Sequence, residues 1–185
     1  MHSDILKCCT WNVRGLGEKM SNPLFIENIK EYDIICLLET KLSDNIQLPN
    51  YNFVHCPSRK HITGGGVGLF ISENLKNKIH VVKMTHSEYV WIKIDSCAFN
   101  LENDIYACFA YIAPENSSYS KQIESDVLPL IDDDILSYSA LGQVILCGDL
   151  NGRIGQEPDF IANDSDKHLP LYDNSYYISD VSTER

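Results

Sequence analysis

The sequence predicts an α/β chain, and three observations carry that reading. Eight short apolar runs have the length of strands, and several are nearly continuous, as in strands covered on both faces. Two further segments repeat apolar residues at helical spacing. The apolar fraction, 44%, is ordinary for a globular chain. A chain of this size forms one domain that buries roughly two thirds of its unfolded surface.

Taken in order, strands are expected at 5–11, 33–38, 52–56, 66–72, 78–84, 89–95, 104–111 and 143–148. The first helix starts at Ser21-Asn22-Pro23, an N-cap signal with proline in the first turn. It continues through Leu24, Phe25, Ile26 and Ile29 to Lys30. The second helix is expected over 118–139, with Ile123, Val127, Leu130, Ile131 and Ile135 at helical spacing. Within it, Asp132-Asp133-Asp134 reads as a solvated segment. Gly64-Gly65-Gly66 is not followed by the Gly-Lys-Ser/Thr of a phosphate-cradling loop, so it reads as a turn before an inner strand. Residues 1–155 form the main portion of the domain. Residues 156–185 have no sustained period and read as its loop-rich or poorly ordered continuation.

Composition excludes some classes and strains others. No run approaches the roughly 20 apolar residues of a membrane span, and Met1 leads into no signal-peptide pattern. The seven cysteines are dispersed, without zinc spacing. Cys8, Cys9, Cys36, Cys108 and Cys147 lie in apolar strand runs, which predicts buried free thiols. That usage fits an intracellular, reducing compartment, the nucleus or the cytoplasm. The net charge of −11, with only 15 Lys and Arg, opposes non-specific binding to a polyanion.

The chemistry gathers at strand ends. Val144-Ile145-Leu146-Cys147-Gly148 delivers Asp149, and Asn151 follows two residues later on the same side. Gly148 leaves room for a ligand or another backbone to come close. Asp, Asn and Gly also favour plain turns. Two upstream runs repeat the arrangement, however, ending in Asn12 and in Glu39. Carboxamides at 12 and 151 with carboxylates at 39 and 149 make an all-oxygen donor set, suited to Mg2+ or Mn2+.

Five stretches stand out in order: Thr10-Trp11-Asn12-Val13-Arg14-Gly15-Leu16, Leu37-Leu38-Glu39-Thr40-Lys41, Gly64-Gly65-Gly66-Val67-Gly68-Leu69-Phe70-Ile71, Tyr111-Ile112-Ala113-Pro114 and Gly148-Asp149-Leu150-Asn151-Gly152-Arg153-Ile154-Gly155. Together they resemble the endonuclease/exonuclease/phosphatase superfamily, the DNase I-like group that includes deoxyribonuclease I, abasic-site endonucleases and LINE-type retrotransposon endonuclease domains. Their order and spacing match, and the flavour is that of the retrotransposon-derived members. The resemblance implies a four-layer α-β-β-α sandwich, a Mg2+-dependent phosphodiester hydrolase and DNA as substrate. It assigns Glu39 and Asn12 to the metal, Asp149 to the attacking water, Asn151 to that water or a phosphate oxygen, and the Tyr111 hydroxyl to the phosphate.

The sequence also departs from that pattern. The superfamily adds a further strand-borne Asp and a Ser-Asp-His, and neither follows Asn151 here. Ser165-Asp166-Lys167-His168 is interrupted by a lysine and has no apolar strand before it. Arg14 is cationic where some relatives carry an acidic metal-binding residue. The resemblance therefore implies a C-terminally truncated domain with impaired activity. The acidity keeps a phosphatase or phosphodiesterase for a small substrate in view, and the missing motifs keep a non-catalytic remnant that binds a protein partner.

Overall fold

The computed structural model describes residues 5–56, 64–114, 117, 118, 120–122 and 126–152. All eight expected strands form, as β1 (Cys8–Asn12), β2 (Ile34–Leu38), β3 (Tyr51–Cys56), β4 (Val67–Ser72), β5 (Ile79–Lys83), β6 (Tyr89–Ile94), β7 (Ile105–Tyr111) and β8 (Gln143–Asp149). The helices are α1 (Pro23–Ile29), a single turn α2 (Ser96–Phe99) and α3 (Leu128–Ser139). The compact unit holding all of them ends at Gly152. The tail 156–185, with Ser165-Asp166-Lys167-His168, lies outside the described residues.

Helix α1 begins where its cap dictates. The Asn22 side chain accepts from the Leu24 and Phe25 amides at 3.0 and 3.4 Å, and Pro23 occupies the first turn. The second helix starts later than expected, at Leu128 rather than 118. Pro129 explains the difference. Proline lacks an amide donor and clashes inside a helix, so it belongs to a first turn. A separate 3-10 turn occupies Ser120–Gln122, and Ile123 lies outside the described residues. The aspartate run is also not uniformly solvated: Asp132 and Asp133 are exposed, but Asp134 is buried, its Oδ1 accepting from the Lys83 ammonium at 2.6 Å.

The strands form two four-stranded sheets, ordered β1-β2-β4-β3 and β5-β6-β7-β8. In each, one pair is parallel. β1 runs alongside β2, and β7 alongside β8, with Tyr111 directly opposite Asp149. The connections of these pairs contain α1 and α3, as parallel pairing requires a crossover. Between the sheets lies a core of Ile34, Cys36, Leu38, Val67, Leu69, Val90, Ile92 and Phe109. α1 covers the other face of the first sheet through Phe25 and Ile29, and α3 covers the second through Val127 and Ile131. The result is the α-β-β-α layering. Two parallel pairs thus deliver four C-terminal strand ends to one region.

Among the described residues β1 and β8 each have one neighbour in their sheet, and they contact each other across the sandwich. Both carry exposed apolar side chains: Trp11 is 44% exposed, Ile145 44% and Leu146 38%. This position corrects the cysteine reading. Cys36 and Cys108, on inner strands, are buried, whereas Cys8 is exposed and Cys9 and Cys147 are half-buried. All seven thiols are free.

Candidate active site

Asn12 ends β1, Glu39 directly follows β2, Tyr111 ends β7 and Asp149 ends β8. The Asn12 carboxamide joins the two sheets. Its Nδ2 donates to Glu39 Oε1 at 2.9 Å and to Asp149 Oδ2 at 2.8 Å. Its Oδ1 accepts the Arg14 amide at 3.1 Å, which fixes the orientation of the carboxamide. Asn12 and Asp149, 137 positions apart in sequence, are thereby joined directly. The far oxygen of Glu39 faces the Lys41 ammonium at 3.7 Å.

Tyr111 completes the cluster. It is buried and its hydroxyl is hydrogen-bonded to Glu39. Burial, that hydrogen bond and the charges of Glu39 and Asp149 push the phenol well above its ordinary range. The hydroxyl accordingly stays protonated and is able to donate. Asn151 stands beside the cluster. Its backbone amide donates to Asp149 Oδ1 at 3.3 Å, while its side-chain amide donates to the Ile112 carbonyl at 2.7 Å. The structure thus brings Asn12, Glu39, Tyr111 and Asp149 into one network, with Asn151 attached through its backbone.

The backbone around this network is unusual. Among the described residues, the non-glycine positions with positive φ are Arg14, Glu39, Lys41, Asn50, Asn100 and Asn151. Asparagine tolerates that region, but Arg, Glu and Lys rarely enter it. The three costly cases, at φ 49°, 53° and 52°, are Arg14, two residues beyond Asn12, Glu39 itself, and Lys41, two residues beyond Glu39. Strain of this kind persists only where the surroundings over-determine it. Here the Gly15 and Leu16 amides donate to the carbonyls of Glu39 and Thr40 at 2.7 and 2.9 Å. The Thr40 and Lys41 amides donate in turn to the Gly66 and Gly65 carbonyls at 3.1 and 3.2 Å. The triple glycine is therefore a brace for the Glu39 loop as well as a turn. Gly148, at φ 138°, makes its room for backbone: an added Cβ would lie 1.9 Å from the Ala110 carbonyl oxygen.

Sequence reasoning missed Thr40 and His55. Both are buried, and Thr40 Oγ1 lies 3.3 Å from His55 Nε2. Adjacency to Glu39 was the available signal for Thr40. Nothing in the β3 sequence marks His55.

The donor chemistry suits a hard divalent cation. Two carboxylates converge on one nitrogen, so a small cation between them would meet oxygen on both sides. Among the described residues no group of three or more His, Cys, Asp and Glu is arranged to hold a metal ion. Mg2+ needs fewer, since it is bound through one or two carboxylates and completes its shell with water or phosphate oxygens.

A family model described as the Endonuclease/Exonuclease/phosphatase family matches residues 9–173. No curated protein matches the chain. Among solved structures, the 3′ phosphatase NExo from Neisseria bound to product DNA hairpin is 18% identical, with a TM-score of 0.54 over 80% of this chain and 58% of its own. The AP endonuclease LMAP from Leishmania major is 18% identical, with a TM-score of 0.55 over 79% and 55%. The endonuclease domain of TRAS1, a telomere-specific non-LTR retrotransposon, is 10% identical, with a TM-score of 0.52 over 80% and 62%. At these identities the likeness is one of fold, and the chain spans little more than half the length of each.

Proposed function

This chain belongs to the Endonuclease/Exonuclease/phosphatase family, and on that premise we propose that it is the N-terminal part of a Mg2+-dependent phosphodiester hydrolase of retrotransposon type. The observation that carries the proposal is the Asn12 carboxamide shared by Glu39 and Asp149, with the Tyr111 hydroxyl on the same network. Structures of similar fold include AP endonucleases and a retrotransposon endonuclease domain, which supports DNA as the substrate.

Each residue has a task that its geometry permits. Glu39 and Asn12 would hold Mg2+, with Mn2+ as a substitute; the ion supplies charge neutralisation for the developing phosphoryl anion. Asp149 accepts the proton of the attacking water or orients that water. Tyr111, held protonated, donates its hydroxyl to a phosphate oxygen. The Asn151 side-chain amide is used by the Ile112 carbonyl, which leaves its oxygen to fix the water.

General acid–base groups contribute roughly 10²–10⁴ in rate. After Asn151 the sequence holds Ser165-Asp166-Lys167-His168 in place of an uninterrupted Ser-Asp-His. The 185 residues by themselves should therefore be weak.

Calorimetric titration tests the metal site, and nicking of supercoiled plasmid tests the chemistry. The expected result is one Mg2+ or Mn2+ bound per chain, lost in Glu39→Ala and Asp149→Ala, with nicking near background. Absence of metal binding would overturn the site. Robust Mg2+-dependent nicking that vanishes in Asp149→Ala would overturn the impairment.

The net charge of −11 favours a second reading, a phosphatase or phosphodiesterase for a small phosphoester, which needs no basic groove. Turnover of a small phosphodiester under conditions that leave plasmid intact would select it.

A further inference from the structure

Glu39 reaches the network from a backbone conformation that its own side chain disfavours, at φ 53°. Something must hold it there. Four backbone hydrogen bonds brace the main chain of the loop. The next residue, Thr40, is fully buried. A Cβ added to Gly68 would lie 3.2 Å from Thr40 Cγ2, so the absence of a side chain on β4 makes the slot that receives Thr40. On the flank of that slot stands His55, opposite Gly68 in the β3–β4 register. Thr40 Oγ1 lies 3.3 Å from His55 Nε2. The His55 ring is stacked at 5.4 Å on Phe53, whose edge closes the other side of the slot at 3.0 Å from the same Gly68 position.

We propose that Thr40 and His55 are positioning residues: the threonine is a peg, and the histidine is the side-chain partner that fixes its hydroxyl, so that Glu39 keeps its left-handed backbone and presents its carboxylate to Asn12. The functional consequence, a preformed cation ligand, rests on the metal site proposed above. The mechanical claim does not, because it concerns the metal-free chain. Burial lowers the His55 pKa and keeps the ring neutral, consistent with one ring nitrogen sharing a hydrogen bond with the hydroxyl. Partners that orient metal ligands contribute roughly 10–100-fold to metal affinity.

Two measurements on the full chain separate this role from mere stability. The first uses NMR without metal. A positive φ brings the amide and α protons of Glu39 close, which gives a strong intraresidue NOE, and the Asn12 side-chain amide reports the hydrogen bond to Glu39. Thr40→Val keeps the shape but removes the hydroxyl, and Thr40→Ser restores it. The Glu39 NOE and the shifted Asn12 amide signals should persist in wild type and Thr40→Ser and be lost in Thr40→Val. The second is Mn2+ titration. Affinity should fall by about 10–100-fold in Thr40→Val and recover in Thr40→Ser.

Where Thr40→Val costs the fold, His55→Phe against His55→Gln makes the same comparison, since glutamine keeps a polar partner for the hydroxyl. A folded Thr40→Val or His55→Phe with an unchanged Glu39 NOE and wild-type Mn2+ affinity would overturn the proposal. If the NOE follows the variants while wild type binds no Mn2+, the positioning role stands and the metal site fails.

Discussion

Glu39 and Asp149, on different sheets, share a single amide donor, the Nδ2 of Asn12. The three residues form the polar seam of the sandwich at the ends of its two parallel strand pairs. Two carboxylates this close repel unless a donor or a cation stands between them.

That arrangement makes Asn12 costly to lose. Asn12→Ala leaves both carboxylates partly buried without their shared donor. Unsatisfied partners of this kind cost about 1–3 kcal/mol. Urea denaturation in EDTA should show the loss, and Mg2+ should stabilise wild type more than the variant, which lacks one of the proposed ligands. Equal Mg2+ gains in both proteins would argue against Asn12 as a ligand.

The fold was legible most plainly in its inner strands. Ile34-Ile35-Cys36-Leu37-Leu38 is buried at every position, and such runs announce themselves without an alignment. The site was legible because Asn12, Glu39 and Asp149 each stand at the end of a strand-length run. What sequence did not show depends on pairing. Cys8 and Cys147 lie on strands with one neighbour in the sheet, and nothing local distinguishes such strands. His55 acquires its role only through its register opposite Gly68, where Thr40 enters from another loop. Asp134 reads as one of three solvated acids until α3 is packed on the sheet and Lys83 meets it. The start of α3 was in the sequence, at Pro129, but apolar spacing upstream outweighed it.

Gly148 should be intolerant of any side chain. Its φ of 138° is closed to other residues, and a Cβ there would overlap the Ala110 carbonyl. Since β7 and β8 pair at this point, the strain would displace Asp149 directly. Gly148→Ala is expected to destabilise the chain by roughly 3 kcal/mol or more, by the combined cost of a clash and a forced backbone. Gly152 is the control, because among the described residues a Cβ there meets nothing within 4 Å. Its alanine variant should stay within about 0.5 kcal/mol of wild type in the same urea titration. Similar midpoints for the two variants would contradict the close approach.

The thiols should divide into two kinetic classes. Cys8 and Cys97 are exposed, whereas Cys36, Cys56 and Cys108 are buried. Burial pushes the Cys56 and Cys8 thiols alike up to about 12, so little thiolate is present at either at neutral pH. With an aromatic disulfide reagent, Cys97 should react first and Cys36, Cys56 and Cys108 only on unfolding, as mass spectrometry of the labelled peptides would show. Rapid labelling of Cys36 in folded protein would mean that the first sheet opens in solution.

His55 should make stability depend on pH in a definite direction. Burial lowers its pKa below the ordinary 6.5 in the folded chain. The unfolded chain takes up a proton near 6.5, while the folded imidazole resists it until lower pH. Between those two pKa values the unfolded state binds more protons, so stability is fully present above about pH 6.5 and declines as the pH falls. The decline ends once the pH is below the folded pKa. Each proton so linked contributes at most about 1.4 kcal/mol per pH unit. His55→Gln keeps a polar partner for Thr40 without titrating in this range. Its urea midpoint should therefore fall less steeply than that of wild type between about pH 6.5 and 5. The other five histidines remain in both proteins, so the comparison isolates position 55. Parallel pH profiles for the two proteins would show that His55 is free to protonate in the fold, and the buried contact with Thr40 would then be too weak to hold it neutral.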